Sequence, residues 1–424
     1  MNVYVDILGD LASLQNSDSS LTPVSHGKCL WLRKGSGSSA PPRLPDRASH
    51  GHCLSLWRQR GARARAPRSK RTLTWGRIDH GECHIATSSM RALFCLLLVL
   101  ASFTAHLVAA KAPKFGPVPD KLAPAPAENG FPAAPKISKH TVNIAGLVVN
   151  VYGIDQLTSP SPGSPAPSIL GTIHLHGRKQ SAVGEEPFVR SLYGATRQYM
   201  DAGGANTLRD LLMISFDARN HGKRMTSEKE QESFNSGNPN YAVDLYATIT
   251  GTRADLSYVV DWLNVYLFPS NERVIDMWAV TGRSMGGHTA WQALAFEPRI
   301  RIGCPLVGMP DYFKLLTGHL QQSKLRKAAP QVPAAFLDLI NRTNPAQTPY
   351  TSTDPNANPF WGKKILATSG GSDKTVPYDY SRQFHIGLVL GPPTDPTTAD
   401  SFEVFIQPLT EHTVTPESTS APRH

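Results

Sequence analysis

One serine of the chain lies in a glycine-rich turn that suits nucleophilic chemistry. Residues 282–286 read GRSMG, after the apolar stretch Met277–Thr281 and before an alanine-containing, helix-like segment. A serine on a tight strand-to-helix turn presents its hydroxyl to a substrate, and glycines on either side avoid collisions with neighbouring backbone. This pattern predicts that Ser284 attacks an electrophilic carbonyl. The alternative is an ordinary strand–helix turn with an incidental serine.

Two further side chains are placed to activate that serine. A serine nucleophile needs a base, and the base needs a group that orients it. His412 comes shortly after the predicted strand Phe402–Gln407, and Asp373 follows the predicted strand Lys364–Ser369. Loops at the C-terminal ends of parallel strands meet at one edge of a sheet. The chain order therefore predicts a triad of Ser284, Asp373 and His412.

Four other residues are weaker candidates for the acid or the base. Asp311 follows the predicted strand Arg301–Val307 and is the alternative acid. Asp379 lies in a predicted helix, and Glu411 is next to the histidine in sequence, which is a poor position from which to orient it. His288 lies in the helix that follows the nucleophile, where packing explains it better than catalysis.

The oxyanion that forms on the attacked carbonyl needs two backbone N–H donors. One is expected from Met285, the residue after the nucleophile. The other is expected from Arg178, because His176-Gly177-Arg178 follows the predicted strand Ser168–His174. Gly177 would let this loop turn, and it and His176 are also expected to contact the substrate. A simple turn at the end of the strand is the alternative.

A second loop, Asp217–Gly222 with the sequence DARNHG, follows the predicted strand Leu212–Asp217. Its Asp and Arg side chains are expected to brace neighbouring loops, a structural role that we favour. His221 could instead line the substrate pocket. No Cys/His spacing in the chain resembles a zinc site, so no metal is expected.

Strands and helices alternate from Ile137 onward, which indicates an α/β fold. The connection between residues 308 and 362 contains helical pieces, and we expect it to form a small cap over the pocket. The predicted strands are His140–Ile144, Leu147–Tyr152, Ser168–His174, Leu212–Asp217, Val274–Thr281, Arg301–Val307, Lys364–Ser369 and Phe402–Gln407. The predicted helices outside the cap are Pro187–Asp201, Thr207–Leu211, Asp255–Phe268 and His288–Phe296.

With these motifs in view, residues from about Lys136 to Glu417 resemble the α/β-hydrolase superfamily. The branch that they resemble is that of dienelactone hydrolases and prolyl-oligopeptidase-like esterases, including fungal members. The resemblance implies about eight mostly parallel strands with helices on both faces, an acyl-transfer triad and no cofactor. The matching pieces are His176–Arg178, Asp217–Gly222, Gly282–Gly287, Gly371–Pro377 and His412–Glu417.

Positive charge is concentrated at the front of the chain. The 424 residues carry a formal charge of +10, and residues 1–89 hold 13 Lys/Arg against 6 Asp/Glu. Only +3 is left for the other 335 residues, so no nucleic-acid partner is expected for them. Four of the five cysteines precede residue 111. Because only Cys304 lies beyond that point, the downstream domain cannot contain an internal disulfide.

The composition divides the chain into five predicted parts. Residues 1–89 are expected to be a disordered basic region, and residues 90–110 a signal peptide beginning at Met90 or a membrane anchor, since 92–110 are mostly apolar. Residues 111–136 form a Pro/Ala-rich linker, 137–417 the catalytic domain and 418–424 a tail. The secretory pathway is therefore the expected location, as a secreted or membrane-anchored protein, with the cytoplasm as the alternative.

These features predict a serine hydrolase that cleaves a carboxylic ester, a small molecule, through an acyl-enzyme. A secreted peptidase or thioesterase of the same fold is the first alternative. The short basic region before the domain cannot be the propeller of a prolyl oligopeptidase, which makes a peptidase the weaker interpretation. A binding protein that keeps the fold without catalysis is the second alternative. Three separated residues with matched chemistry argue against it, because binding alone does not require them.

Overall fold

A computed structural model describes residues 136–161, 166–202, 209–392, 398 and 401–415. The basic region, the apolar stretch 92–110, nearly all of the proposed linker and the tail lie outside these residues, so their predictions are not addressed by the structure. Within the described ranges, no helix is both long enough and apolar enough to cross a bilayer.

One sheet contains eight strands, which confirms the predicted number. They are β1 (Lys139–Ile144), β2 (Leu147–Tyr152), β3 (Ser168–Leu175), β4 (Arg209–Phe216), β5 (Ile275–Arg283), β6 (Ile300–Leu306), β7 (Lys364–Gly370) and β8 (Phe402–Gln407). Their order across the sheet is β1-β2-β4-β3-β5-β6-β7-β8. The hairpin β1–β2 is antiparallel, β2 is antiparallel to β4, and all other neighbours are parallel. The mostly parallel α/β-hydrolase arrangement is therefore confirmed.

Six α-helices accompany the sheet in the described part of the chain. They are α1 (Glu186–Ala202), α2 (Tyr241–Leu267), α3 (Met285–Phe296), α4 (Tyr312–Gln322), α5 (Ala334–Thr343) and α6 (Asp379–Gly387). Helices cover both faces of the sheet, and this explains why the central strands read as nearly continuous apolar runs. Every residue of β4, for example, is buried.

The side chains on the two faces of the sheet form two separate apolar clusters. Successive residues of a strand point to opposite faces, so Ile169 and Ile173 of β3 lie in one cluster and Leu170 lies in the other. The first cluster includes residues of α2 and α3, and the second includes residues of α1. The helices packed on both faces hold the carboxyl ends of β3, β5, β7 and β8 in fixed positions.

The segment between β6 and β7 contains α4 and α5, which pack against the first half of α2. The ring of Tyr246 lies 4.4 Å from that of Tyr312 and 5.8 Å from that of Phe336, measured between ring centres. Met285 and Val376, which flank the predicted nucleophile and acid, belong to the same apolar cluster. The helical segment that we expected to form a cap is therefore packed directly beside the residues of the site.

Two predicted elements differ from the structure. The predicted helix Thr207–Leu211 is wrong where it can be compared, because β4 already begins at Arg209 and pairs with β2 and β3. The helix predicted over Asp255–Phe268 is correct but too short, since α2 begins at Tyr241. In both cases the tertiary position of the segment outweighs its local sequence preference.

Candidate active site

The backbone at Ser284 adopts a conformation that residues other than glycine rarely adopt. Its φ of 56° and ψ of −112° form the turn between β5 and α3, and such a residue stores strain that the surrounding structure must hold. The Ser284 N–H donates to the Leu306 carbonyl at 2.9 Å, and its carbonyl accepts from the His288 N–H at 2.9 Å. The serine is half-buried, with the sheet behind it.

The glycines of the turn are required by close backbone contacts. A Cβ atom on Gly282 would lie 2.3 Å from the carbonyl oxygen of Gly286, and one on Gly286 would lie 2.0 Å from that of Leu175. Real Cβ atoms do not approach so closely, so any side chain would open the turn. The sequence-based prediction that side chains at these two positions would collide with backbone is confirmed.

The structure brings Ser284, His412 and Asp373 into one line of hydrogen bonds. The Nε2 atom of His412 lies 2.8 Å from the Ser284 Oγ, and its Nδ1 atom lies 2.6 Å from an Oδ of Asp373. A carboxylate can only accept, so Nδ1 carries the proton and Nε2 accepts from the serine hydroxyl. This tautomer leaves Nε2 ready to take the serine proton.

The loops that follow β7 and β8 carry the acid and the base, and backbone hydrogen bonds join them. The Gly371 N–H donates to the Gln407 carbonyl, and the Ser372 N–H donates to the Thr410 carbonyl, both at 2.8 Å. Backbone contacts of this kind leave little freedom for one loop to move without the other. The separation of the carboxylate from the imidazole is therefore set by the main chain.

The Asp373 carboxylate is buried and held ionised. Burial alone raises the pKa of Asp373, but the hydrogen bond and charge of His412 outweigh burial, together with the N–H groups of Val376 and Thr375. These two N–H groups donate to one carboxylate oxygen at 2.9 and 2.8 Å. The pKa of Asp373 consequently lies below its ordinary value. A permanently charged acid can orient the imidazole and stabilise its protonated form.

Both loops that were predicted to supply oxyanion donors lie at the nucleophile. Met285 is the first residue of α3, and the first N–H groups of a helix have no partner within it. Gly177 lies against the turn, because a Cβ on it would be 3.8 Å from the Ser284 Cβ. The Arg178 amide therefore belongs to a loop that contacts the nucleophile. Its role as a donor, and that of Met285, stay predictions.

His176 links two loops rather than presenting a free ring to the site. Its Nδ1 donates to the Gly177 carbonyl at 2.8 Å, and its Nε2 accepts from the Ala218 N–H at 2.9 Å. Burial lowers the pKa of His176 to about 4, although the hydrogen bond to Gly177 opposes this. The ring is neutral, and its contacts favour the positioning of Gly177 over direct substrate contact.

The loop after β4 is held by charged side chains. The Asp217 carboxylate accepts from the backbone N–H of Ala182 at 2.8 Å and from that of Lys223 at 2.9 Å. Arg219 forms an ion pair with Asp255 of α2 at 2.8 Å. These contacts agree with the structural role, bracing of neighbouring loops, that we favoured for this loop from the sequence.

His221 belongs to the same loop and is 2% exposed. Its Nδ1 donates to the Arg219 carbonyl at 2.9 Å, and its ring centre lies 5.4 Å from that of His176. Burial is the main cause of the lowered pKa of His221. Within the described residues its Nε2 has no hydrogen-bond partner. A substrate contact by His221 stays a prediction.

The other candidate acids have separate positions. Asp311 caps the N-terminus of α4, where its carboxylate accepts from the N–H groups of Phe313 and Lys314. Asp379 is the exposed first residue of α6, and the Glu411 side chain is exposed to solvent. The structure therefore pairs the triad histidine with Asp373 rather than with the alternative acid Asp311.

His288, the remaining alternative, is buried in the first turns of α3. Its Nδ1 accepts from the Met309 N–H at 3.0 Å, which ties α3 to the chain leaving β6. Burial lowers the pKa of His288 to about 4, so it stays neutral in the interior. Among the described residues, no group of three or more His, Cys, Asp or Glu side chains could hold a metal ion.

The sequence analysis did not identify Tyr241 and His319 as neighbours of the site, nor the contact of the Arg178 side chain with Tyr241. The Tyr241 hydroxyl lies 3.3 Å from the His319 Nδ1, and the His319 Nε2 lies 3.2 Å from the Thr375 carbonyl. The guanidinium carbon of Arg178 lies 5.4 Å from the centre of the Tyr241 ring. No motif marks these residues, because helices that are far apart in sequence bring them together.

Comparisons with known proteins find similar structures but no similar sequence. No protein-family model matches the chain, and no curated protein matches it in sequence. Crystal structures of TT1662 from Thermus thermophilus and of the esterase Pf2001 from Pyrococcus furiosus are among the similar structures. TT1662 is 18% identical with a TM-score of 0.43, and the match covers 67% of this chain and 94% of TT1662. The second is 17% identical with a TM-score of 0.36, covering 65% and 84%.

An acylaminoacyl peptidase from Pyrococcus horikoshii is also similar in structure. It is 13% identical with a TM-score of 0.42, and the match covers 68% of this chain. The match spans only 39% of the peptidase's own length. Similarity this distant transfers no activity to the chain. The fold class rests on the order and direction of the chain's own strands.

Proposed function

We propose that the protein is a serine hydrolase that cleaves a carboxylic ester through an acyl-enzyme formed on Ser284. The observation that carries the proposal is the continuous line of hydrogen bonds from the Ser284 hydroxyl through His412 to Asp373, at 2.8 and 2.6 Å. A serine held on a strained turn, a correctly oriented base and a buried acid together support this chemistry.

In the first step the Ser284 oxygen attacks the carbonyl carbon while the His412 Nε2 takes the hydroxyl proton. Asp373 holds the imidazole through Nδ1 and stabilises the positive charge that it gains. The negative charge on the former carbonyl oxygen is met by the amides of Met285 and Arg178, aided by the N-terminal dipole of α3. His412 then protonates the departing alcohol, which leaves the acyl group on the serine.

In the second step water replaces the alcohol. The neutral His412 removes a proton from the water, which attacks the acyl carbon and forms a second tetrahedral intermediate. Collapse of this intermediate returns the proton to Ser284 and releases the carboxylic acid. Apart from the ester and water, every group that acts in this cycle is a protein side chain or a backbone amide.

The proposal is tested by the hydrolysis of 4-nitrophenyl esters of two to eight carbons. Wild-type protein should release nitrophenol, and Ser284→Ala should lower kcat by at least about 10⁴-fold. Ser270→Ala, which alters an exposed serine between α2 and β5, is the matched control and should keep full activity. Equal activity of the wild type and Ser284→Ala would reject Ser284 as the nucleophile.

A parallel panel of peptide 4-nitroanilides and acyl thioesters distinguishes the alternative leaving groups. An ester-cleaving enzyme should show a higher kcat/KM on the esters than on anilides of the same acyl group. The reverse order would favour the peptidase alternative while keeping the same triad. Absence of turnover on all three classes would favour the binding protein.

A further inference from the structure

The triad is part of a closed ring of contacts that begins and ends at the turn of Ser284. On one side, the backbone N–H of Thr375 donates to Asp373, and its carbonyl accepts from His319 of α4. His319 contacts Tyr241 of α2. The ring closes through Arg178, whose guanidinium lies over Tyr241 and whose neighbour Gly177 touches the nucleophilic turn.

Among the described residues, no carboxylate lies within ion-pair distance of the Arg178 guanidinium in that ring. Its side chain instead donates a hydrogen bond to the Gln231 carbonyl and lies over the face of Tyr241. The nearby acid Glu232 is already held by Lys179 at 2.6 Å. A guanidinium has five N–H donors, so several are left for a ligand.

The rings beside Arg178, those of His221, His319 and Tyr241, supply no negative charge to pair with it. Burial lowers the pKa of His221 and of His319, and the positive charge of Arg178 lowers both further. Burial raises the pKa of Tyr241, which keeps the phenol protonated. These effects agree with the contacts in placing the guanidinium within electrostatic reach of all three rings.

We infer that the Arg178 side chain binds a carboxylate of the substrate, close to the ester carbonyl that Ser284 attacks. The inference rests on the proposed function and specifies its substrate class: an acidic ester, such as a monoester of a dicarboxylic acid. A planar guanidinium matches a carboxylate with two parallel hydrogen bonds. Arg178 thereby has two functions, with its amide directed to the oxyanion and its side chain to the substrate anion.

The inference predicts a charge preference that depends on Arg178. Two pairs of esters test it, each with one charged and one neutral member of similar size; the carboxylate is on the acyl side in one pair and on the alcohol side in the other. The acyl pair is 4-nitrophenyl hydrogen glutarate and 4-nitrophenyl pentanoate, and the alcohol pair is butyryl glycolate and propyl butyrate. Arg178→Gln should lower the anionic-to-neutral ratio of kcat/KM by about tenfold in one of the pairs.

A purely structural role for Arg178 predicts a different result. Loss of the Gln231 and Tyr241 contacts would lower kcat/KM for the charged and the neutral ester equally, and an unchanged ratio in both pairs would overturn the inference. Arg178→Lys should recover part of the ratio, since it restores charge without the planar fork. Lys229→Gln removes the same charge from an exposed side chain, leaves the pair of Lys179 and Glu232 intact, and should leave the ratio unchanged.

A binding measurement separates this inference from the proposed function. Calorimetry on full-length Ser284→Ala protein, which needs no turnover, compares monomethyl glutarate with dimethyl glutarate. The acidic ester should bind more tightly, and Arg178→Gln in the same background should weaken it by about tenfold. Equal affinity for the two esters overturns the inference even where wild-type protein hydrolyses esters. If Ser284→Ala protein binds monomethyl glutarate more tightly but wild-type protein hydrolyses no ester, the inference is supported and the proposed function is rejected.

Discussion

Each ring nitrogen of His412 has one partner, and the two partners differ in what they can do. Asp373 can only accept, which fixes the proton on Nδ1, whereas the Ser284 hydroxyl can donate to Nε2. The side chain of Asp373 is fully buried and that of His412 is 24% exposed. The acid is thus shielded from solvent while the base stays accessible to substrate and water.

Mutation can distinguish the two candidate acids, Asp373 and Asp311. Asp373→Asn should lower kcat by roughly 10³- to 10⁴-fold, the effect known for the acid of a serine-protease triad, because the amide favours the wrong imidazole tautomer. Asp311→Asn should keep kcat, since Asp311 caps α4 and asparagine is also a good cap. Steady-state kinetics on a 4-nitrophenyl ester decides the matter. A larger loss for Asp311→Asn would mean that the structure pairs His412 with the wrong acid.

The three side chains that the structure joins by hydrogen bonds could be predicted from the sequence, whereas the residues around them could not. Ser284 could be found because its turn constrains five consecutive residues, and the other two members because each follows a recognisable strand. Tyr241 and His319 carry no such local signal, since 78 residues separate them and only the packing of α2 on α4 brings them together. The lack of an ion pair at Arg178 among the described residues could not be predicted either, because ion pairing between distant residues is a property of the folded chain.

At the scale of elements, the close approach of two loops positions the base. β7 ends at Gly370, and a Cβ there would lie 2.2 Å from the Glu411 carbonyl oxygen and 2.4 Å from that of Thr410. The chain that carries His412 therefore crosses directly over a glycine. Any side chain at that position must push this chain away from the acid.

Gly370→Ala should consequently reduce activity more than stability. A displacement of His412 by about 1 Å can cost on the order of 10²-fold in rate, and kcat/KM on a 4-nitrophenyl ester should fall by about that factor. The matched control is Gly184→Ala on an exposed turn before α1, where the nearest atom to a new Cβ is 3.4 Å away. Wild-type kcat/KM for Gly370→Ala would show that the loop contact does not position the base.

The first half of α2 shows why an element can be missed from sequence. Thr248–Thr252 contains β-branched residues and a glycine, all weak helix formers, so a helix over this stretch was not predicted. A tertiary contact explains the glycine at position 251, because a Cβ on Gly251 would lie 2.6 Å from the Arg219 side chain. Burial of Tyr246 and Ile249 against the helices α4 and α5 stabilises a segment whose local preference is poor.

On the scale of the whole molecule, buried histidines make the fold sensitive to acid. His176, His288 and His385 each have a pKa that burial lowers to about 4, against an ordinary value near 6.5. The unfolded chain therefore binds more protons than the folded chain between pH 6.5 and 4. Stability is highest above that range and is lost as the pH falls through it.

His385 offers a clean test, because neither ring nitrogen has a partner within the described residues. Its ring lies among the rings of Trp291, Phe384 and Phe402. From its pKa, this residue alone should cost about 2 kcal/mol between pH 7 and pH 5. His385→Phe should therefore raise Tm by several degrees more at pH 5 than at pH 7 in thermal unfolding.

The control for this comparison is His140→Gln, which alters an exposed histidine paired with Asp155 on the surface. Exposed pairs contribute little to stability, so its Tm difference from wild type should be small at both pH values. An equal effect of His385→Phe at pH 5 and pH 7 would show that His385 does not titrate with folding.

Covalent labelling is the most direct test of the proposal that Ser284 is a nucleophile activated by His412. A fluorophosphonate reacts only with an activated serine, and digestion followed by mass spectrometry identifies the labelled residue. We predict one phosphonyl group on the peptide that contains Ser284, and no labelling of Ser284→Ala or, at the same exposure, of His412→Ala. Unlabelled wild-type protein, or a label on another serine that persists in Ser284→Ala, would contradict it.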